Sequence, residues 1–293
     1  MLNILKRGSL SGSDREEYIR AVHYDNFAAD YSKLRVHMSY APHVHANGAL
    51  LAWHRQFIWL WEHALRTECA YQGYLPYWDW PLYAHNLSAS PLFDGSPTSL
   101  SGDGNRDHDY CVTSGPFANM RVHFAQGATP TLQMPPNIFD YTPHCLNRQF
   151  NSTVTAIFAN ATVIDRLLAS SDIITFQERM DISMNPEVWA REFGPHTAGH
   201  KAMTGTMEDF LSSPQDPAFM LHHGMVDRMW AIWQGLDETN HRWAINGTMT
   251  LYNLPLTPGL TLETEFGFGV LGPSKKMREL MSPQAGDYCY EYT

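Results

Sequence analysis

Charge is scarce in this chain of 293 residues, with Asp, Glu, Lys and Arg together at 17%, below the roughly 25% of an average soluble domain. No run of basic residues is longer than Lys275-Lys276, and the formal charge is −10. Nucleic acid is therefore not an expected partner, and neither is an anionic membrane surface. No apolar run approaches the roughly 18 residues of a membrane span. There is no internal repeat. No linker-like stretch divides the sequence, and residues 1–293 are expected to form one domain.

Cysteine is sparse as well, at Cys69, Cys111, Cys145 and Cys289. An even count can form a disulfide framework, here with three connectivities open. Asn86, Asn151, Asn160 and Asn246 each begin an N-x-S/T sequon. One sequon arises easily by chance, but four beside paired cysteines favour an oxidising, secretory history. A signal peptide is not legible, because Met1–Arg7 is not followed by the roughly 7–15-residue apolar stretch of a leader. Either the leader is missing from this sequence or the protein stays inside the cell, and secretion is the expectation.

Histidine and aromatic residues are abundant, with 15 histidines and 13% Phe, Trp and Tyr. With 44% hydrophobic residues, the chain can bury a large aromatic core. Ser13-Asp14-Arg15-Glu16 has the spacing of a capping box and predicts a helix toward Ala28. A second helix is predicted from Leu50 to Ala70, where Phe57, Ile58, Trp61 and Leu65 share a face with His54. From Pro76 to Pro143 the sequence is rich in Gly, Pro, Ser, Asn and Asp, which predicts long loops with short strands, tied down by Cys111 and Cys145. Helical signals return from Thr162 through Asp181 and again from His196 to Met203. Asp216-Pro217 is an N-cap and N1 pair for a last long helix to about Gln234. The tail from Asn246 carries no helix of note. The fold class is mainly α.

His196 and His200 stand at i and i+4, one above the other on a helix face, which lets a single turn chelate a metal. Thr197 occupies the place where a zinc protease carries its catalytic Glu, so that chemistry is not expected. A third ligand is available from His222 or His223. Asp227, four residues beyond His223, can support that ring, whereas Val226 stands in the same relation to His222, so His223 is the expected ligand. A second set, His37, His45 and His54, is spaced by eight and nine residues, which predicts ligands from a loop and the start of a helix. His43 lies among them as a bystander. Three neutral imidazoles per ion leave open positions and imply reactivity. Such donors suit copper, zinc, iron or nickel, but two Cu(I) ions can together give two electrons to dioxygen, which zinc cannot.

At these residues the chain resembles the type 3 copper family, the tyrosinases, catechol oxidases and hemocyanins. His45 with Trp53-His54-Arg55-Gln56-Phe57, and Glu62 on the same helix, is similar to the first copper motif. Pro76-Tyr77-Trp78-Asp79-Trp80 resembles the hallmark that follows it. Asp216-Pro217-Ala218-Phe219, His222-His223, Asp227-Arg228 and Trp230 resemble the second copper motif, in which the second of the paired histidines is the ligand. Tyr288-Cys289-Tyr290 is similar to the tyrosine motif that ends the catalytic core. Glu68-Cys69, Cys111-Val112-Thr113 and Gly115-Pro116-Phe117 look most like short fungal polyphenol oxidases. The resemblance spans nearly the whole chain.

It implies a four-helix bundle around two copper ions held by His37, His45, His54, His196, His200 and His223, with a phenol and dioxygen as reactants. Of these, His37 varies most in position among relatives, and His23 is its alternative. His43 stands where many relatives carry a cysteine joined to a copper ligand, so that cross-link is not expected. No cysteine precedes Cys69, which would leave Cys289 without its usual partner, and neither a C-terminal lid domain nor a β-sandwich is expected after the tyrosine motif. Hydroxylation of a monophenol is linked in the family to a water held by a Glu and by an Asn just after the first ligand of the second copper. Glu192, or else Glu187, is the expected carboxylate, while Thr197 replaces the Asn. Phe210 corresponds to the gate over the copper, and Lys201 would steer acidic or polar phenols. These positions favour oxidation of o-diphenols to o-quinones over tyrosine hydroxylation or o-aminophenol oxidation. The rival functions are a dioxygen carrier, a zinc or iron hydrolase, and a degenerate, binding-only relative.

Overall fold

The computed structural model describes residues 5–7, 11–23, 31–124, 126–128, 136–182 and 192–293. Among these, helices dominate and strands are two or three residues long. Helix α1 spans Gly12–His23 and α2 spans Tyr31–Val44. The capping box of α1 is built two residues earlier than expected. Ser11 Oγ accepts from the Asp14 N–H, and the Asp14 carboxylate accepts from the Ser11 N–H, each at 3.3 Å. The expected continuation toward Ala28 lies outside the described residues.

Helix α2 corrects the expectation of a loop around His37. Val36, His37, Tyr40, Ala41 and Val44 recur at helical spacing. Pro42 stands in the last turn, where it masks the pattern because proline normally breaks a helix interior. Ala46, at φ +46, reverses the chain, and α3 then runs Leu50–Glu68. Its sequence has neither Gly nor Pro, and its buried face carries Trp53, His54, Phe57, Ile58, Trp61 and Leu65. Cys69 and Tyr71 both donate backbone N–H groups to Leu65 O, and Ala70 at φ +55 ends the helix.

The segment after Pro76 is irregular, as expected. Strands β2 (Arg121–Val122) and β3 (His144–Cys145) pair antiparallel, and Cys111–Cys145 is a disulfide. Cys69 and Cys289 remain thiols. Arg148 anchors these loops. It is fully buried, bonds both oxygens of Asp216 at 2.6 and 2.8 Å, and donates to Leu100 O.

The helical stretch foreseen from Thr162 to Asp181 is broken. Helix α4 spans Ser152–Phe158, α5 Ala161–Leu168 and α6 Ile173–Met180. The break between α5 and α6 is chemical, since the Asp172 side chain accepts from Thr175 N–H and starts a new helix. Helix α7 (Pro195–Met203) follows with proline in its first turn, and α8 is a single turn at Gly205–Glu208. Helix α9, Ala218–Leu236, begins where the Asp216 carboxylate accepts from Ala218 N–H at 2.9 Å.

Helices α2, α3, α7 and α9 converge on one core, which is the expected bundle. The chain ends reinforce it. Strand β1 (Leu5–Arg7) pairs in parallel with Tyr290–Tyr292, and Tyr290 and Tyr292 each donate to the Asp227 carboxylate at 2.5 Å. Asp227 is also paired with buried Arg55 of α3 at 2.6 Å. No helix among the described residues is long and apolar enough to cross a membrane.

Candidate metal centre

Two groups of histidines lie at the heart of the bundle. His37, His45 and His54 form one, and His196, His200, His222 and His223 the other; within each group the candidate ligand atoms lie within 4.8 Å of one another. The two groups face each other. The rings of His54 and His223 stack with centroids 4.2 Å apart, and those of His45 and His196 lie 6.3 Å apart. Phe219 wedges between them, 5.2 Å from the His37 ring and 4.2 Å from the His223 ring.

Second partners set the tautomers. The Nδ1 of His37 lies 2.8 Å from Leu211 O, that of His45 2.9 Å from Ala41 O, that of His54 2.8 Å from Leu50 O and that of His200 2.7 Å from Met207 O. A carbonyl oxygen only accepts, so each Nδ1 carries the proton and each Nε2 keeps a lone pair. His196 Nδ1 instead meets Asp181 Oδ1 at 2.7 Å. The Nε2 atoms of His37, His54, His196 and His222, and both ring nitrogens of His223, are buried without a hydrogen-bond partner. Orphaned nitrogens in a dry core are costly unless something coordinates them, so this donor set fits a pair of metal ions.

Burial, reinforced by neighbouring imidazoles, holds His37, His54, His222 and His223 well below the usual histidine pKa. The same causes push His45 and His200 down to about 3. Neutral imidazole is the form that ligates.

His222 is engaged differently from its neighbour. Its Nδ1 lies 3.1 Å from Trp80 Nε1, and an indole N–H can only donate, so the proton of His222 must sit on Nε2. The Pro76–Trp80 hallmark thus holds a histidine directly, a role the sequence did not disclose. Gly199 makes room for it, since a Cβ there would stand 2.2 Å from His222 Cε1.

A cavity of about 630 Å³ opens over His45, His196 and His200. Besides these three expected ligands, the expected site residues Phe210, Thr197 and Lys201 line it, as does Asp181. The Phe210 ring sits 5.2 Å from that of His45. Thr197 Oγ1 donates to Asp181 Oδ1 at 2.7 Å. Lys201 is half-exposed and pairs with Glu208 at 3.2 Å.

Other expectations are corrected. Glu192 is exposed and does not line the cavity; the carboxylate beside His196 is Asp181, fifteen residues upstream. The isolated bridge between Ile182 and Phe193 brings the end of α6 beside the start of α7, and Asp181 rather than Glu192 meets that helix. Glu187 lies outside the described residues, as does the side chain of His23. Asp227 does not support His223, because its oxygens are taken by Arg55, Tyr290 and Tyr292. Sequence reasoning missed both Asp181 and Tyr252. Tyr252 lines the cavity at φ +58, an uncommon conformation for a residue with a side chain.

Comparison with known proteins agrees with this geometry. A family model described as the common central domain of tyrosinase matches residues 14–236. The oxidase hkm6 of Aspergillus hancockii is 46% identical, over 92% of this chain and 99% of that protein. Tyrosinase P of Aspergillus terreus is 42% identical, over 98% and 90%. A solved variant of polyphenol oxidase from Thermothelomyces thermophila superposes with a TM-score of 0.86 at 31% identity, covering 99% of this chain and 89% of that one. An octopus hemocyanin functional unit shares the fold at a TM-score of 0.56 and 18% identity, covering 99% and 68%. The chain therefore belongs to the type 3 copper family and is an oxidoreductase that uses a dinuclear copper site to oxidise phenols with dioxygen.

Proposed function

We propose that this enzyme oxidises o-diphenols to o-quinones, with dioxygen reduced to water, and that His37, His45 and His54 hold one copper while His196, His200 and His223 hold the other. The choice of His223 over His222 rests on the hydrogen bond from Trp80. It consumes the Nδ1 lone pair of His222 and leaves His222 Nε2 protonated, whereas both nitrogens of His223 are unpartnered.

The observation that carries the substrate reading is the bond from Thr197 to Asp181. Hydroxylating a monophenol requires a group to take the phenol proton at the site. The Thr197 proton is donated to Asp181 and exposed Glu192 is off the cavity, so the Glu and Asn pair linked to monophenol hydroxylation is not assembled at this site. An o-diphenol makes a smaller demand, since its more acidic hydroxyl is readily lost. When bound, the copper pair supplies Lewis acidity toward the phenol and the two-electron transfer to dioxygen. The chain does the rest. Phe210, at the His45 ring, narrows the approach to flat rings, and the Lys201 ammonium at the rim favours acidic or polar substituents. A secretory location is part of the same proposal; the Cys111–Cys145 disulfide and the exposed sequon residues Asn86 and Asn151 support it.

Copper reconstitution followed by oxygen uptake on catechol, an o-aminophenol and tyrosine tests the reading. Catechol is expected to turn over fastest, with tyrosine slow or inert. Hydroxylation of tyrosine with catechol untouched would overturn it, and reversible oxygenation without quinone would make the protein a dioxygen carrier.

A further inference from the structure

We infer that Asp181 is the positioning residue of the second copper site, fixing His196 as its Nδ1–H tautomer and making that imidazole a stronger donor than its carbonyl-bound neighbours. The inference rests on the ligand assignment above and goes beyond it to a residue outside the ligand set.

Four of the proposed ligands, His37, His45, His54 and His200, give their Nδ1–H to neutral backbone carbonyls. His196 gives its proton to a carboxylate at 2.7 Å. Asp181 is buried at 6% exposure, in surroundings that amplify the interaction. A full negative charge at Nδ1–H polarises the N–H bond and increases electron density at Nε2, and partners of this kind orient and tune metal-bound histidines. The two sites are then unequal. The ion held by His196 is bound more tightly, and its oxidised form is favoured relative to the ion held by His37, His45 and His54.

The carboxylate is itself held in place. Asp181 ends α6 with its N–H donated to Gln177 O at 3.1 Å, and its C=O accepts from Gly194 N–H at 2.6 Å, one residue before α7 begins. Thr197 Oγ1 donates to the same Oδ1 that His196 uses. The end of one helix and the first turn of the next are thereby locked around a single oxygen.

Asp181→Asn is the discriminating variant. It keeps shape and removes charge, and its amide NH2 can donate to His196 Nδ1, trapping the proton on Nε2 where it blocks the metal. Copper-free wild type and variant are loaded with Cu(I) and titrated with a competing chelator, and copper per chain is measured. Wild type is expected to hold two coppers. The variant is expected to release one of them at roughly 10–100-fold lower chelator concentration while the other is released as in wild type, and Asp181→Glu is expected to recover part of the loss. Release of both coppers at the wild-type chelator concentration would overturn the inference. Fewer than two coppers on wild type would instead overturn the ligand assignment, and the inference with it. Should the variant not fold, 1H–15N spectra of the copper-free wild type decide. An Nδ1–H tautomer at His196 is expected, and an Nε2–H tautomer overturns the inference.

Discussion

At the scale of single residues, the centre is governed by where each imidazole keeps its proton. His222 and His223 are adjacent in sequence and buried alike, yet Trp80 occupies one of them and leaves the other unpartnered. His223→Gln is expected to reduce bound copper from two ions to about one, while His222→Gln retains more; copper analysis of the two purified variants checks this. Gly199→Ala acts on the same arrangement from the opposite side. The added Cβ would lie 2.2 Å from His222, so the ring must leave Trp80, and copper at the second site is expected to fall. Full copper content in Gly199→Ala would show that the His222 ring is free to move without consequence. Phe210→Leu trims the cavity mouth beside His45. A change of this size in an apolar pocket is worth about 1–3 kcal/mol in selectivity, so kcat/KM for bulky diphenols is expected to rise by tenfold or more relative to catechol. An unchanged ratio in steady-state assays would remove Phe210 from the gate.

At the scale of elements, α3 and α9 carry the densest sequence signal and pack closely against each other. Arg55 and Asp227 join them through a fully buried pair, and Arg55 also donates to Leu280 O, Met281 O and Gln234. Removing one member leaves an uncompensated buried charge, which typically costs about 3–5 kcal/mol. Arg55→Ala is therefore expected to lower the denaturation midpoint sharply, with no copper ligand touched. Denaturant unfolding of the copper-free protein measures it. Legibility differed by element for a physical reason. Helix α3 was readable because its apolar face repeats at 3.6 residues without interruption. Helix α2 was not, because Pro42 and the polar residues interspersed along it obscure the same period. Asp227 was read as the support of His223 from its spacing alone, but spacing along a helix does not reveal that Arg55 and two tyrosines from the chain end already occupy its oxygens.

At the scale of the whole molecule, a core of neutral, buried imidazoles makes stability depend on pH. His45 and His200 sit at about 3 in the folded state, below the ordinary value near 6.5. Between those values the unfolded chain binds more protons than the folded one, so stability rises with pH across this window and is lost as pH falls from about 6.5 toward 3. Each such group contributes up to about 1.4 kcal/mol per pH unit. Thermal melts of the copper-free protein from pH 7 to 4 are expected to show Tm falling throughout; a flat profile would contradict the burial of these rings. The Cys111–Cys145 bridge closes a loop of 34 residues, worth on the order of 3–4 kcal/mol by chain entropy.

The sequence alone determined the family, the two histidine sets, the main helices and the loop-rich middle, because those depend on local spacing and on motifs carried by contiguous residues. Tertiary structure decided what spacing cannot encode. It placed Asp181 rather than Glu192 at His196, gave Asp227 to Arg55 and the terminal tyrosines, and set Trp80 against His222. Each of these pairings joins residues distant in the chain through a hydrogen bond whose geometry exists only once the helices have packed.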